Sequence, residues 1–290
     1  MIGSRHEEPE LSETANPRLP TYFISHGGGP WPWLMDQMHG DWLPLKRSLE
    51  EIPLQLGATP RAILAVSGHW ETDEFTVQTH PHPPMYYDYG GFPEFTYHIE
   101  YPAPGAPDVA ERVVDLLGAS DIPVHRDGER GFDHGVFAPF AVVYPDADVP
   151  IVQLSIKRSF DPAEHLAAGR ALAPLRDEGI LIVGSGFTYH NLRNFGAGAA
   201  VPSQAFDEWL SSAMAAAPDE RSRLLAEWHR APSARIAHPR EDHLIPLLVA
   251  VGAAEDEAAD RFYHEDDFMG HISSSSFRLG AAAHDARVGP

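Results

Sequence analysis

With 290 residues and no cysteine, the chain can form no disulfide, thiolate nucleophile, cysteine-ligated zinc site or iron–sulfur site. Its 42 acidic residues outweigh 21 basic ones, and the formal charge of −21 repels phosphate backbones, which argues against nucleic acid as a partner. No apolar run approaches the roughly 18 residues of a membrane span, the 43% hydrophobic content suffices for a sizeable core, and 17 histidines are an unusual number.

Residues 1–20, MIGSRHEEPELSETANPRLP, are polar and acidic and lack the apolar stretch of a secretory signal. A flexible arm over residues 1–19 and a cytoplasmic setting are therefore expected. The run TYFIS at 21–25 reads as a buried strand that delivers His26 into a Gly-Gly-Gly-Pro turn, and AILAVS at 62–67 reads as a second that delivers His69. Residues 79–104 are dense in proline, glycine and aromatic rings, the composition of a long functional loop. Within it Asp88 and Tyr97 are candidates for an aromatic pocket, and His80 and His82 for the surface. A helix is predicted over 107–117, then His134 follows a glycine-rich turn in GFDHGVFAPF. Strands are predicted at 151–156 and 180–183, the latter leading into GSGFTYHNLR and His190. Helices are predicted over 162–176, 203–216, 219–228 and 242–251, with His238 and His243 at the start of the last. A loose tail is expected over 281–290.

Strands alternating with helices predict a single α/β domain over 20–280, with a central, mostly parallel or mixed sheet flanked by helices. Ligands of such sheets gather beyond the carboxyl ends of the strands, where His26, His69 and, slightly later, His190 are delivered. Several neutral imidazoles meeting at one point, with coordination positions left open, suit a catalytic metal. Two other motifs do not hold: GGGPWPW lacks the lysine of a phosphate loop, and GSGFTYH has the wrong order for a nucleophile elbow.

Taken in order, SHGGGP, SGHWET, YYDYGGFPEFTYHIEYPAPG, GFDHGVFAPF, PIVQLSI, GSGFTYHNLR and HPREDHLIPLLVAVGA resemble the DOPA 4,5-dioxygenase-like branch of the class III extradiol dioxygenases, the LigB-like superfamily. The resemblance runs from about residue 20 to 280. It implies a mononuclear non-haem metal, Fe(II) as a rule and Zn(II) in some isolated relatives, with His26, His69 and His243 as ligands. It also implies His190 as the acid–base residue, sometimes drawn as a fourth ligand, His134 on the substrate side, and His238 as a pocket or supporting residue. The substrates implied are a catechol and O₂, with the ring opened beside the diol and no membrane or nucleic-acid partner. Monomer and small homo-oligomer stay open. A zinc-dependent hydrolase built on the same histidines, or a non-catalytic binding protein of the same fold, are the alternative readings. The GGGPWPW turn departs from the shorter Ser-Pro turn of relatives and abuts the metal crevice.

Overall fold

The computed structural model describes residues 18–282. The arm expected over 1–19 and the tail expected over 281–290 fall almost wholly outside them. Of the arm, Leu19 already belongs to the fold: its amide donates to the Arg176 carbonyl at 3.3 Å and its carbonyl accepts from the Arg176 Nε at 2.6 Å.

In chain order the strands are β1 (Thr21–Ser25), β2 (Ala62–Thr72), β3 (Phe75–Gln78), β4 (Val124–Asp127), β5 (Ile151–Lys157), β6 (Ile180–Gly186), β7 (Ala259–Phe268) and β8 (Ile272–Leu279). They form one eight-stranded sheet in the order β4-β3-β5-β2-β6-β1-β8-β7. The central β5, β2, β6 and β1 run parallel, and β8 and β7 add an antiparallel edge. The sheet is therefore mixed around a parallel centre. Those four strands are buried almost throughout and rich in apolar residues without alternation, because both of their faces are covered.

The covering helices are α1 (Leu43–Glu50), α2 (Ile52–Leu56), α3 (Pro107–Ala119), α4 (His134–Val143), α5 (Pro162–Leu172), α6 (Ala200–Met214), α7 (Pro218–Ala226), α8 (Ala234–Ala237) and α9 (Ile245–Ala253). The predicted helices are found with shifted ends, whereas α4 was not expected. Its sequence, HGVFAPFAVV, is buried on nearly every side, so it has no polar face to reveal a helical period. Among the described residues no helix is long and apolar enough to cross a membrane.

Helix α9 sets the position of the site. All nine of its residues are buried, and it packs on β6, β1 and α5. Burying Ile245, Leu247, Leu248, Val249 and Val251 stabilises this seat by roughly 1.5–3 kcal/mol per side chain. Strand β6 accommodates the close approach with glycine: a Cβ at Gly184 would collide with the Pro246 carbonyl, and one at Gly186 with the His243 carbonyl.

Strand β8 was also not expected, because ISSSSFRL, with four consecutive serines, offers no apolar run or alternation. Its serines are buried and satisfied: Ser276 Oγ accepts from the Ser25 amide at 2.9 Å, and Ser275 Oγ donates to Asp207 at 3.0 Å.

Candidate metal centre

Three segments bring three imidazoles to the carboxyl ends of adjacent strands β2, β6 and β1. His26 follows β1 directly, its amide donating to the Gly186 carbonyl at 3.2 Å. Gly27, at φ 78°, turns the chain away beneath the Trp31 ring, whose Nε1 donates to the His26 carbonyl at 2.8 Å. His69 lies in β2 where pairing with β5 slips: Val66 faces Leu154 but Glu71 faces Ile156, five steps against two. Such a bulge re-aims side chains, and here it points His69 at the other two. His243 sits in the turn before α9, its carbonyl held by the Phe187 amide at 3.0 Å. His238, expected beside it at a helix start, instead closes the end of α8.

The Nε2 atom of His69 lies 3.3 Å from that of His26 and 3.1 Å from that of His243. Each Nδ1 faces an acceptor. That of His26 is 2.7 Å from the Gly27 carbonyl, that of His243 is 2.7 Å from Asp242 Oδ2, and that of His69 is 3.1 Å from Asp88 Oδ2. The Nδ1 atoms therefore carry the protons, and three Nε2 lone pairs converge. Neutral acceptors repel one another at such distances unless a cation lies between them. Ligands at about 2.0–2.1 Å from one ion stand about 2.9–3.4 Å apart for bond angles between 90° and 109°. Both spacings to His69 fall in that span and all three ligand atoms lie within 4.8 Å of one another, so the donor set fits a single divalent ion. Burial, then the neighbouring histidines, push His26, His69 and His243 well below the ordinary imidazole range, which keeps them neutral and ligand-competent.

His134, the first residue of α4, places its ring 4.0 Å from that of His69 and 5.3 Å from that of His26, centroid to centroid. Its Nδ1 lies 2.8 Å from Asp88 Oδ1. His190, anchored by a 2.9 Å bond from its amide to the Ala237 carbonyl, stacks on His243 and sits 3.9 Å from Asp242. The structure groups it with Asp242 and His243, apart from the cluster of His26, His69 and His243. The ordinary imidazole pKa of about 6.5 does not hold for it; burial, helped by His134, pulls it down to about 4. His238 is fully buried, with Nε2 3.0 Å from the Thr188 carbonyl, and so supports the segment leading to His190.

Other residues round the centre went unpredicted. Asp242 is raised to about 6 by burial, with Arg240 opposing; its place directly before His243 was the available signal. Asp133 is wholly buried and binds Ser67 Oγ at 2.7 Å, Arg130 Nη2 at 2.8 Å and the Gln153 amide. Arg130 is thus engaged by Asp133 and lies over the Trp70 and Tyr86 rings. Tyr89 and Phe187 flank the imidazoles, 5.8 Å from His134 and 5.3 Å from His26. Of the loop histidines, His80 is half-buried and His82 exposed.

An α/β sheet carrying a three-imidazole ion site beyond its parallel strands, walled by aromatic rings, defines a metal-binding enzyme centre of the non-haem kind. The family model described as the catalytic LigB subunit of aromatic ring-opening dioxygenase matches residues 20–280. The chain belongs to this family and is an extradiol aromatic ring-opening dioxygenase. It is 38% identical to a Beta vulgaris protein named 4,5-DOPA dioxygenase extradiol, over 89% of this chain and 96% of that one. It is 37% identical to a protein of the same name from Escherichia coli K12, over 91% of this chain and 95% of that one. A crystal structure of an uncharacterized protein from Escherichia coli K12 superposes with a TM-score of 0.74 at 33% identity, covering 91% of this chain and all of that one.

Proposed function

We propose that His26, His69 and His243 hold one divalent ion, Fe(II) in the working enzyme with Zn(II) able to take the same place. The substrate we assign is a catechol, cleaved by O₂ beside the diol. The observation that carries this reading is the convergence of three Nε2 lone pairs, that of His69 lying 3.1 Å from that of His243 and 3.3 Å from that of His26. Relatives named for DOPA, itself a catechol, support the substrate class. When bound, the ion supplies a redox-capable Lewis acid at which both reactants are held.

The remaining chemistry belongs to the chain's own side chains. His190 lies against the ligand His243 with its Nδ1 3.9 Å from Asp242, and from there it takes the proton of a catechol hydroxyl. His134, with Nδ1 held by Asp88, presents Nε2 to the reacting side. Tyr89, Phe187 and their neighbours give the catechol ring apolar faces to lie against and keep water away. The cytoplasm, a reducing compartment that suits a cysteine-free chain, is part of the same reading.

The test is O₂ uptake by Fe(II)-reconstituted protein across a small panel of catechols, with product absorbance followed in parallel. Uptake and a yellow ring-opened product are expected with at least one catechol. Metal-loaded protein that consumes no O₂ with any of them, or that hydrolyses esters anaerobically with Zn(II), would overturn the reading.

A further inference from the structure

One carboxylate serves two of the histidines. Asp88 Oδ1 lies 2.8 Å from His134 Nδ1 and also accepts from the His134 amide at 3.0 Å, while Oδ2 lies 3.1 Å from His69 Nδ1. The carboxylate is only 11% exposed, and Oδ2 faces the His69 Nδ1 without closing a hydrogen bond. A buried carboxylate oxygen so placed needs a positive partner, and an imidazole that has given its Nε2 lone pair to a cation becomes one.

Helix α4 gives a second, independent reason. Asp133 occupies the position from which a side chain would ordinarily cap the helix, yet it makes no cap hydrogen bond, because its carboxylate is engaged by Ser67, Arg130 and Gln153. Asp88 takes over the free amide of His134 from 46 residues away.

The segment carrying Asp88 is fixed on both sides. Tyr86 N donates to the Phe132 carbonyl at 2.8 Å, Tyr87 Oη to the Ile99 carbonyl at 2.7 Å, and Tyr89 Oη to the Thr96 carbonyl at 2.6 Å. The carboxylate is therefore delivered as part of an already folded aromatic loop.

We propose that Asp88 is a positioning residue shared by His69 and His134, so that seating the aromatic loop and completing the metal centre are one event. It holds His69 with Nε2 toward the ion and His134 with Nε2 toward the substrate. This rests on the metal-centre reading above. An amide at position 88 offers one acceptor and one donor where two acceptors are required, so one of the two imidazoles must change tautomer or turn.

The experiment titrates Co(II) into metal-free wild-type protein and Asp88→Asn, following visible absorption, and then measures kcat and KM for a catechol at saturating Fe(II). Wild type is expected to bind one Co(II), and Asp88→Asn to bind it about 10- to 100-fold more weakly, as for other groups that orient metal-bound histidines. Saturating Fe(II) is expected to leave a deficit in kcat, because His134 stays misplaced when the ion is restored. A His134→Ala control is expected to keep wild-type Co(II) affinity, which separates the two arms of the carboxylate. If Asp88→Ala fails to fold, Asp88→Asn still decides the matter, being nearly the same size and shape. Wild-type affinity and kcat in Asp88→Asn would overturn the inference alone. Two equivalents of Co(II), the second lost in Asp88→Asn, would overturn it by making His69, Asp88 and His134 a separate ion site. Wild type that binds no Co(II) would overturn the metal-centre reading and this inference with it.

Discussion

The imidazole of His190 lies flat on that of His243, centroids 3.3 Å apart and planes 19° from parallel. The His190 Nδ1 lies 3.9 Å from Asp242 Oδ2, and the ring stands beside the cluster of His26, His69 and His243 rather than within it. Its role is therefore separable from metal binding.

For that reason His190→Ala is expected to keep its metal and lose turnover by about 10²-fold or more, the range for lost acid–base help. Elemental analysis and steady-state kinetics on the same preparation check this. Full activity in the variant would remove His190 from the reaction.

His26→Ala, His69→Ala and His243→Ala are each expected to lose the ion, since two imidazoles remain where three converge. Dialysis against a chelator is expected to abolish wild-type activity and Fe(II) to restore it. A variant with a full equivalent of bound metal would show that its histidine is no ligand.

Stability is expected to fall on mild acidification of the metal-free protein. His165 is buried with Nε2 accepting from the Lys157 amide and Nδ1 facing the Asp161 carbonyl, and burial lowers its pKa to about 4. Burial likewise lowers His238 to about 3. In the unfolded chain both titrate near 6.5, so below that pH the unfolded state binds more protons and is favoured. The contribution is whole above about pH 6.5 and is lost as pH falls toward 4, roughly 3 kcal/mol for His165 alone. Thermal melts between pH 7.5 and 5 in the presence of chelator measure it, and His165→Gln is expected to flatten the dependence. A melting temperature unchanged over that range would contradict the assignment.

Gly186→Ala is expected to destabilise the fold by about 1–3 kcal/mol and to weaken metal binding together. The added methyl meets the His243 carbonyl and lies 3.0 Å from the Phe23 ring, so the turn carrying His243 must lift off the sheet. Gly118→Ala in α3, where nothing lies within 4 Å of the new methyl, is the matched control and is expected to be neutral or mildly stabilising. Urea midpoints and metal titrations of the two variants test the contrast.

Much of this was legible from local pattern. The buried strands and most helices announced themselves through apolar runs and periodicity, and the histidines through their place after β1, in β2 and after β6. Elements without such a signature were hidden. Helix α4 is apolar on all sides and carries Pro139, and β8 hides its burial behind serines that bond to Ser25 and Asp207. Asp88 showed as a candidate for the aromatic pocket and Asp242 only as an acidic residue in a loop, because nothing local marks which carboxylate faces which imidazole.

By itself, then, the order of residues determined the α/β class, the cysteine-free chemistry and the histidines available as donors, since composition and short-range periodicity are properties of neighbours along the chain. The tertiary structure alone decided that His26, His69 and His243 turn three lone pairs on one point, that His190 stacks outside it, and that one carboxylate serves two rings. Those are relations between side chains far apart in the sequence, and their geometry is set by glycine-permitted approach and sheet register rather than by any local preference.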